Sequence, residues 1–155
     1  MKKILVLGML AAFTLVLFGT SDLSAQMKKK KEIVAWPSAD IKWEDMKGPV
    51  PGIKYANLWG DIMKGASGAL IKLPAGLNNP LHTHSSDIKM VVVSGTFWVA
   101  REGEAPTKLG PGSYLHVPAG VKHTSGTADG EAVVFQESPG RFDLVPVAVP
   151  PATHK

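Results

Sequence analysis

The sequence predicts an all-β domain, a closed or sandwiched antiparallel barrel. From Glu32 onward, short apolar or β-branched stretches are separated by clusters of Gly, Pro, Asn and Asp, as in barrels built of many short strands. The chain has 12 prolines and 16 glycines, which mark turns and interrupt helices. Beyond the N-terminal segment no stretch shows a sustained helical period, and Ala39–Met46 would form at most a short turn.

Eight strands are predicted in order along one domain of ~130 residues, a length that can bury a core. They are Ile33–Trp36, Ile53–Trp59, Ala69–Leu73, Lys89–Val93, Thr96–Ala100, Tyr114–Val117, Ala132–Gln136 and Phe142–Val147. The domain is expected over residues 32–148. Residues 149–155, rich in proline, are expected to form a C-terminal tail.

Residues 1–25 have the pattern of a secretory signal peptide. A charged start is followed by an apolar run, Ile4–Phe18. Cleavage is predicted after Ala25, where a small residue suits signal peptidase, although Leu23 is not ideal two positions earlier. An uncleaved anchor is the alternative, but the run is shorter than the ~20 residues of a bilayer span. We expect a periplasmic or secreted protein without stable membrane insertion of the mature chain.

The charge of the expected mature chain is too small to indicate a nucleic-acid partner. Cleavage would leave 15 basic and 12 acidic residues. Four of these lysines form the run Lys28–Lys31 in a basic, flexible N-terminus over residues 26–31, so the folded part is close to neutral. The chain has no cysteine, which rules out disulfides and thiolate ligands. Any bound metal must therefore be held by nitrogen or oxygen.

Histidines carry the strongest chemical signal. His82 and His84 are two residues apart, so on an extended strand both imidazoles leave from the same face and can converge on one ion. A third, His123, follows Pro118 and Gly120, residues that favour a tight turn.

Two segments resemble the motifs of the cupin superfamily. Gly76–Gly95 is similar to the first motif: Gly, five residues, His-x-His, three or four residues, Glu, six residues and Gly. Gly112–His123 is similar to the second: Gly, five residues, Pro, one residue, Gly, two residues and His. The chain looks closest to the small single-domain cupins of uncharacterised, domain-of-unknown-function type. The resemblance implies a double-stranded β-helix, or jelly-roll barrel.

The resemblance implies that His82, His84 and His123 are metal ligands; the alternative is a barrel lined by the same histidines without metal. The position of the usual glutamate ligand holds Ile88, and Thr127 replaces a late asparagine of the second motif. Asp87 would become a fourth ligand if a bulge shifted the register by one residue, and otherwise it is a turn or surface carboxylate.

Three neutral imidazoles would leave a divalent ion its full charge and an open position for a small molecule. The ligand set does not choose among Zn, Fe, Mn, Ni and Cu. The predicted signal peptide and the resemblance together imply an exported metal-binding cupin that presents its ion to a small molecule for oxygenase-type chemistry; if the protein is an enzyme, it is a metal-dependent dioxygenase, isomerase or lyase. A non-catalytic periplasmic small-ligand or metal-sensing module is the alternative. Analogy with small cupins implies a homodimer.

Two further polar residues have less specific signals. His116, in a predicted strand two residues before Pro118, would be a structural hydrogen-bonding group, or else a ligand or proton shuttle. Gln136 belongs to a barrel-wall strand and could offer a polar contact inside.

Overall fold

The computed structural model describes residues 32–48 and 50–148, and this part of the chain is built of β-strands. Residues 32–35 are exposed and irregular. The remainder has one 3-10 helix, Ser38–Asp40. The strands are β1 Glu44–Asp45, β2 Lys54–Gly60, β3 Ser67–Leu73, β4 Asn78–Thr83, β5 Ile88–Ser94, β6 Phe97–Arg101, β7 Thr107–Leu109, β8 Tyr114–Val117, β9 His123–Thr127, β10 Ala132–Ser138 and β11 Val145–Pro146. The predicted signal peptide, basic N-terminus and C-terminal tail lie outside the described residues.

The strands form two antiparallel sheets. One has six strands in the order β1-β2-β3-β10-β5-β8, and the other has five in the order β11-β4-β9-β6-β7. Chain neighbours such as β3 and β4 lie in different sheets, and β10 pairs with both β3 and β5. The chain therefore crosses repeatedly between the sheets, and the all-β prediction is confirmed.

Side chains from both sheets share one hydrophobic core. Ile71, Val92 and Val134 come from the six-stranded sheet and Phe97 from the five-stranded sheet, each at most 3% exposed. Burying such side chains contributes about 1.5–3 kcal/mol each. Within the described ranges, no helix has the length and apolar character needed to cross a membrane.

Six of the eight predicted strands are confirmed, with ends that differ by at most two residues. The prediction for Ile33–Trp36 is wrong: residues 33–36 form no strand, and Ile33 is 98% exposed. Phe142–Val147 is reduced to the two residues of β11. Both segments contain strand-forming side chains, but a strand persists where a neighbour satisfies its backbone groups, and side-chain type does not determine that.

Strand propensity along the sequence does not predict β1, β4, β7 and β9. Strand β4 contains Pro80 and two asparagines, and β9 contains Gly126 and three hydroxyl side chains, so neither is rich in strand-forming residues. They pair with each other, with a register shift between Asn79 and His82. Long-range pairing, rather than local propensity, makes these two segments strands.

Candidate metal centre

Three buried histidines face one another in the structure. His82 lies in β4, His84 follows its end, and His123 begins β9. Pairing of β4 with β9 makes His82 and His123 Cα partners. The ring centroids are 4.2 Å apart for His82 and His123, 5.0 Å for His82 and His84, and 5.1 Å for His84 and His123. One nitrogen of each ring lies within 4.8 Å of those of the other two.

The turn before His123 joins the two histidine segments. Gly120 has a φ of 76°, in the left-handed region that glycine adopts without strain. Its backbone N–H donates to the carbonyl oxygen of His84 at 3.0 Å. The glycine of the second motif thus holds the third histidine against the end of the first motif.

Backbone carbonyls orient all three rings. The Nδ1 atoms of His82, His84 and His123 lie 2.6, 2.5 and 3.0 Å from the carbonyl oxygens of Pro80, Asp143 and Val121. A carbonyl oxygen can only accept, so each Nδ1 carries the proton and donates it. Each Nε2 then keeps its lone pair. This is the arrangement by which proteins fix the tautomer and orientation of metal-binding imidazoles.

Burial keeps the three imidazoles neutral. Desolvation lowers the pKa of His82 from 6.5 to about 4, despite the opposing hydrogen bond to Pro80. Desolvation likewise lowers the pKa values of His84 and His123. Neutral imidazole is the form that binds a metal. Three buried, neutral nitrogen donors on one cluster fit a divalent transition metal or zinc.

The histidines line a cavity of about 260 Å³. Most of its wall is apolar, formed by side chains that include Met90, Phe97, Leu115, Val117, Val134 and Phe142. Three buried polar residues, Asn79, Ser125 and Gln136, also line it. Lys47 and Arg141 line the cavity and are exposed, so they lie at its opening. A mainly apolar space with a few polar groups is typical of a small-molecule site.

A segment near the C-terminus completes the site, and the sequence did not identify it. Asp143 provides the carbonyl for His84, and its Oδ1 accepts from the backbone N–H of Ser85 at 2.8 Å. The Phe142 ring centroid lies 5.3 Å from that of His84. No local spacing could reveal these contacts, because Asp143 is 59 residues from His84 in sequence.

Among the described residues, Asp143 supplies the carboxylate that lines the cavity. Burial raises the pKa of this carboxyl, but hydrogen bonds from Ser85 and the positive charge of Arg141 outweigh that effect. The net result is a pKa below the ordinary value. The Asp143 side chain is therefore ionised at neutral pH.

Asp87 lies apart from the three-histidine cluster in the structure. Its Oδ1 accepts from the backbone N–H of Ala119 at 3.0 Å, and its Oδ2 lies 3.2 Å from Nε2 of His116. Asp87 would have to leave both partners to become a fourth metal ligand. Ile88, at the position of the usual glutamate, is fully buried on β5 opposite Val117.

Gln136 and Asn79 have buried polar atoms without partners. Gln136 is 2% exposed, and neither its Nε2 nor its Oε1 has a hydrogen-bond partner among the described residues. Asn79 donates from Nδ2 to Oγ of Ser125 at 3.1 Å, but its Oδ1 has no partner in the described ranges. Buried polar atoms are nearly always paired, so these atoms are available to a ligand.

Known proteins resemble this chain at the level of family and fold. A family model described as "Domain of unknown function (DUF4437)" matches residues 23–145. An RmlC-like cupin protein from Ralstonia eutropha has 18% identity and a TM-score of 0.58, covering 76% of this chain and 78% of its own. The structure of the lyase DddQ from Ruegeria pomeroyi has 23% identity and a TM-score of 0.54, covering 75% of this chain and 64% of its own. The predicted cupin fold is confirmed.

Two curated relatives match part of the sequence. The dimethylsulfoniopropionate lyase DddQ of Ruegeria pomeroyi is 29% identical over 82 residues, which are 53% of this chain and 41% of the lyase. The (R)-mandelonitrile lyase of Granulicella tundricola is 30% identical over 77 residues, which are 50% of this chain and 59% of that enzyme. The match thus spans about half the length of each curated relative.

Proposed function

Because this chain belongs to the DUF4437 family, a domain of unknown function with the cupin fold, we propose that it is a metal-dependent lyase for a small molecule. His82, His84 and His123 would hold one divalent ion, and the cavity beside them would hold the substrate. The observation that carries the proposal is the set of three buried rings whose Nδ1 protons are donated to carbonyls, which leaves three Nε2 lone pairs for one ion.

Different residues of the site would bind the metal, orient the substrate and attract it to the opening. His82, His84 and His123 would hold the ion, which would supply Lewis acidity toward a substrate oxygen. The apolar wall, with Met90 and Phe142, would orient the substrate body and exclude water. Lys47 and Arg141 place positive charge at the opening, which favours entry of an anionic or electron-rich molecule.

Asp143 is our candidate for the proton acceptor that a lyase requires. It lines the cavity, it is ionised at neutral pH, and its backbone carbonyl orients His84. Its Oδ1 is held by Ser85, whereas Oδ2 lies 4.0 Å from Nη2 of Arg141, at the limit of an ion pair. Oδ2 would therefore accept the substrate proton.

The names of the two curated relatives support the choice of a lyase over an oxygenase or isomerase. Both are lyases that act on small molecules, dimethylsulfoniopropionate and (R)-mandelonitrile. The cavity of about 260 Å³ is just below the ~300–1,000 Å³ range of pockets for drug-sized ligands, which also favours a small substrate. These two compounds are therefore the first substrates to test.

The test is an assay of the purified chain loaded separately with Zn, Fe, Mn, Ni and Cu. Each form would be incubated with each of the two compounds, and products would be followed by chromatography and mass spectrometry, with and without oxygen. We expect metal-dependent cleavage that continues without oxygen and is lost in His123→Ala. Cleavage that requires oxygen would support the oxygenase alternative and contradict the lyase.

A non-catalytic small-ligand or metal-sensing module is the remaining alternative. It is favoured by the missing glutamate at Ile88, which leaves Asp143 as the cavity carboxylate in the described part of the chain. Calorimetric binding of either compound to the metal-loaded chain without any turnover would favour this module. Turnover that depends on Asp143 would exclude it.

We further propose that the chain is exported and that its mature form is a homodimer. The support is the n-region and apolar run of residues 1–25, together with the analogy to small cupins. The intact mass of protein from a periplasmic or culture fraction should equal that of a chain that starts at Gln26. Light scattering on that material should give twice the chain mass, and a single-chain mass would overturn the dimer.

A further inference from the structure

We propose that Gln136 is the specificity-determining residue of the cavity and selects small molecules that carry a hydrogen-bond donor and an acceptor side by side. A hydroxyl beside a carbonyl, or a primary amide, belongs to this class. The inference rests on the proposed small-molecule function of the same cavity. Gln136 would determine which polar group of the ligand can bind on the side of the cavity opposite the histidines.

Gln136 projects from the sheet opposite the histidine strands. It lies on β10, paired with Ala69 of β3 and Met90 of β5, whereas His82 and His123 belong to the five-stranded sheet. Gln136, Met90, His82 and His123 all line the same cavity, whereas Ala69 does not. A ligand that spans the cavity would therefore meet the metal ligands on one side and the Gln136 amide on the other.

The unpaired state of Gln136 indicates a ligand. The side chain is 2% exposed, and both of its polar atoms are without partners in the part of the chain that the structure describes. Because both ends of the amide are unpaired, rotating it by 180° would not change the conclusion. An apolar residue of similar volume would avoid the desolvation cost of leaving these groups unpaired. A glutamine here is costly unless something binds to it.

The amide also defines which polar groups fit. Nε2 donates and Oε1 accepts, so a partner must offer an acceptor and a donor side by side. A carboxylate offers acceptors alone and would leave Oε1 unpaired beside a negative charge. Asn79 adds a second unpaired acceptor, Oδ1, from the five-stranded sheet. The cavity therefore favours hydroxyl- or amide-bearing molecules at this position over simple anions.

The experiment compares two probes with the same apolar body. Mandelamide carries a hydroxyl and an amide, and phenylacetate carries a carboxylate alone. Calorimetry would measure the dissociation constant of each for the wild type, for Gln136→Met and for the control Glu137→Met. Glu137 is the next residue on β10 and is exposed. We expect Gln136→Met to weaken mandelamide binding by about tenfold or more, and phenylacetate binding by less than about twofold.

A second readout separates recognition from a structural role. Since Gln136→Met removes unpaired buried polar atoms, the Tm of the ligand-free protein should rise by about 3 °C or more, whereas removal of a structural residue would lower it. Gln136→Glu, which loses the amide donor, should also weaken mandelamide binding. The proposal is overturned if Gln136→Met weakens the binding of both probes equally, or if the Tm of ligand-free Gln136→Met is lower than that of the wild type.

The same comparison would be made on the metal-free protein and on His82→Ala. The dependence of mandelamide binding on Gln136 should persist there, even where overall affinity is lower. If the chain binds no metal but this dependence remains, the proposed metal site is wrong and the recognition role of Gln136 is supported. If metal binds and the dependence is absent, the recognition role fails alone.

Discussion

The Nδ1 nitrogen of His84 lies 2.5 Å from the backbone carbonyl oxygen of Asp143, 59 residues further along the chain. This hydrogen bond orients the ring of one proposed metal ligand. It also places the Asp143 carboxylate in the wall of the cavity. Asp143 thus has two roles: its backbone carbonyl orients a proposed metal ligand, and its side chain is the proposed proton acceptor.

Asp143→Asn separates these two roles. Asparagine keeps the backbone carbonyl for His84 and an Oδ1 acceptor for the N–H of Ser85, but it cannot accept a proton at neutral pH. Turnover of the cleaved substrate should fall by about 100-fold or more. Metal content should stay within about twofold of the wild type, because the imidazole geometry is unchanged.

The control for this variant is Asp129→Asn, an exposed carboxylate that does not line the cavity. Both activity and metal content should match the wild type. Undiminished turnover in Asp143→Asn would remove Asp143 as the proton acceptor and favour a base elsewhere in the cavity.

The metal-free protein should lose stability as the pH falls from 6.5 to about 4. The pKa of His82 is about 4 in the folded chain and 6.5 as the reference value, so between these limits the unfolded chain binds a proton that the folded chain does not. The contribution is fully present above pH 6.5 and decreases as the pH falls towards 4. For His82, which is 1% exposed, it amounts to up to roughly 3 kcal/mol.

Urea unfolding of chelator-treated protein at pH 7.5, 6.0, 5.0 and 4.5 would measure this dependence. His82→Gln, which cannot titrate in this range, should show a shallower loss of the free energy of unfolding. Equal slopes for the two proteins would contradict a depressed pKa of His82.

Thr127→Val should destabilise the fold without touching the histidines. The buried Thr127 hydroxyl donates to the carbonyl of Pro74 at 2.6 Å and accepts from the backbone N–H of Leu77 at 3.0 Å. It therefore holds the chain that leads into β4. Valine has a similar shape but leaves both backbone groups without this partner, at a cost of about 1–3 kcal/mol.

Chemical denaturation would measure that cost. Thr124→Val is the matched control, because Thr124 lies on the same strand and is half-buried. Its free energy of unfolding should change by less than about 0.5 kcal/mol. A similar small change in Thr127→Val would show that the hydroxyl does not hold the loop.

Local sequence was sufficient to identify the histidines. His82 and His84 share a strand face because side chains alternate along a strand, and their spacing alone predicted that they could converge. The resemblance to cupin motifs added His123, and the structure places it opposite His82 through the pairing of β4 with β9.

What sequence could not supply depends on long-range pairing. Strand β4 has weak strand propensity and exists because β9 and β11 pair with it. Asp143 stands in a segment whose predicted strand is mostly absent, and its role follows from contacts with His84 and Ser85. Gln136 was expected to be mainly a wall residue, because the lack of partners for its amide is visible only in three dimensions.

The metal content of the purified chain is the direct test of a metal centre at the three histidines. The protein would be stripped with a chelator, reconstituted separately with Zn, Fe, Mn, Ni and Cu, desalted and measured by elemental mass spectrometry. His116→Ala is the control, because this exposed histidine pairs with Asp87 outside the three-histidine cluster.

We predict one ion per chain in the wild type and in His116→Ala with at least one of these metals. His82→Ala and His123→Ala should retain less than about a tenth of that amount while keeping a folded circular-dichroism spectrum. If the wild type holds no stoichiometric metal after all five reconstitutions, or if His82→Ala binds as much metal as the wild type, the three histidines do not form a metal centre.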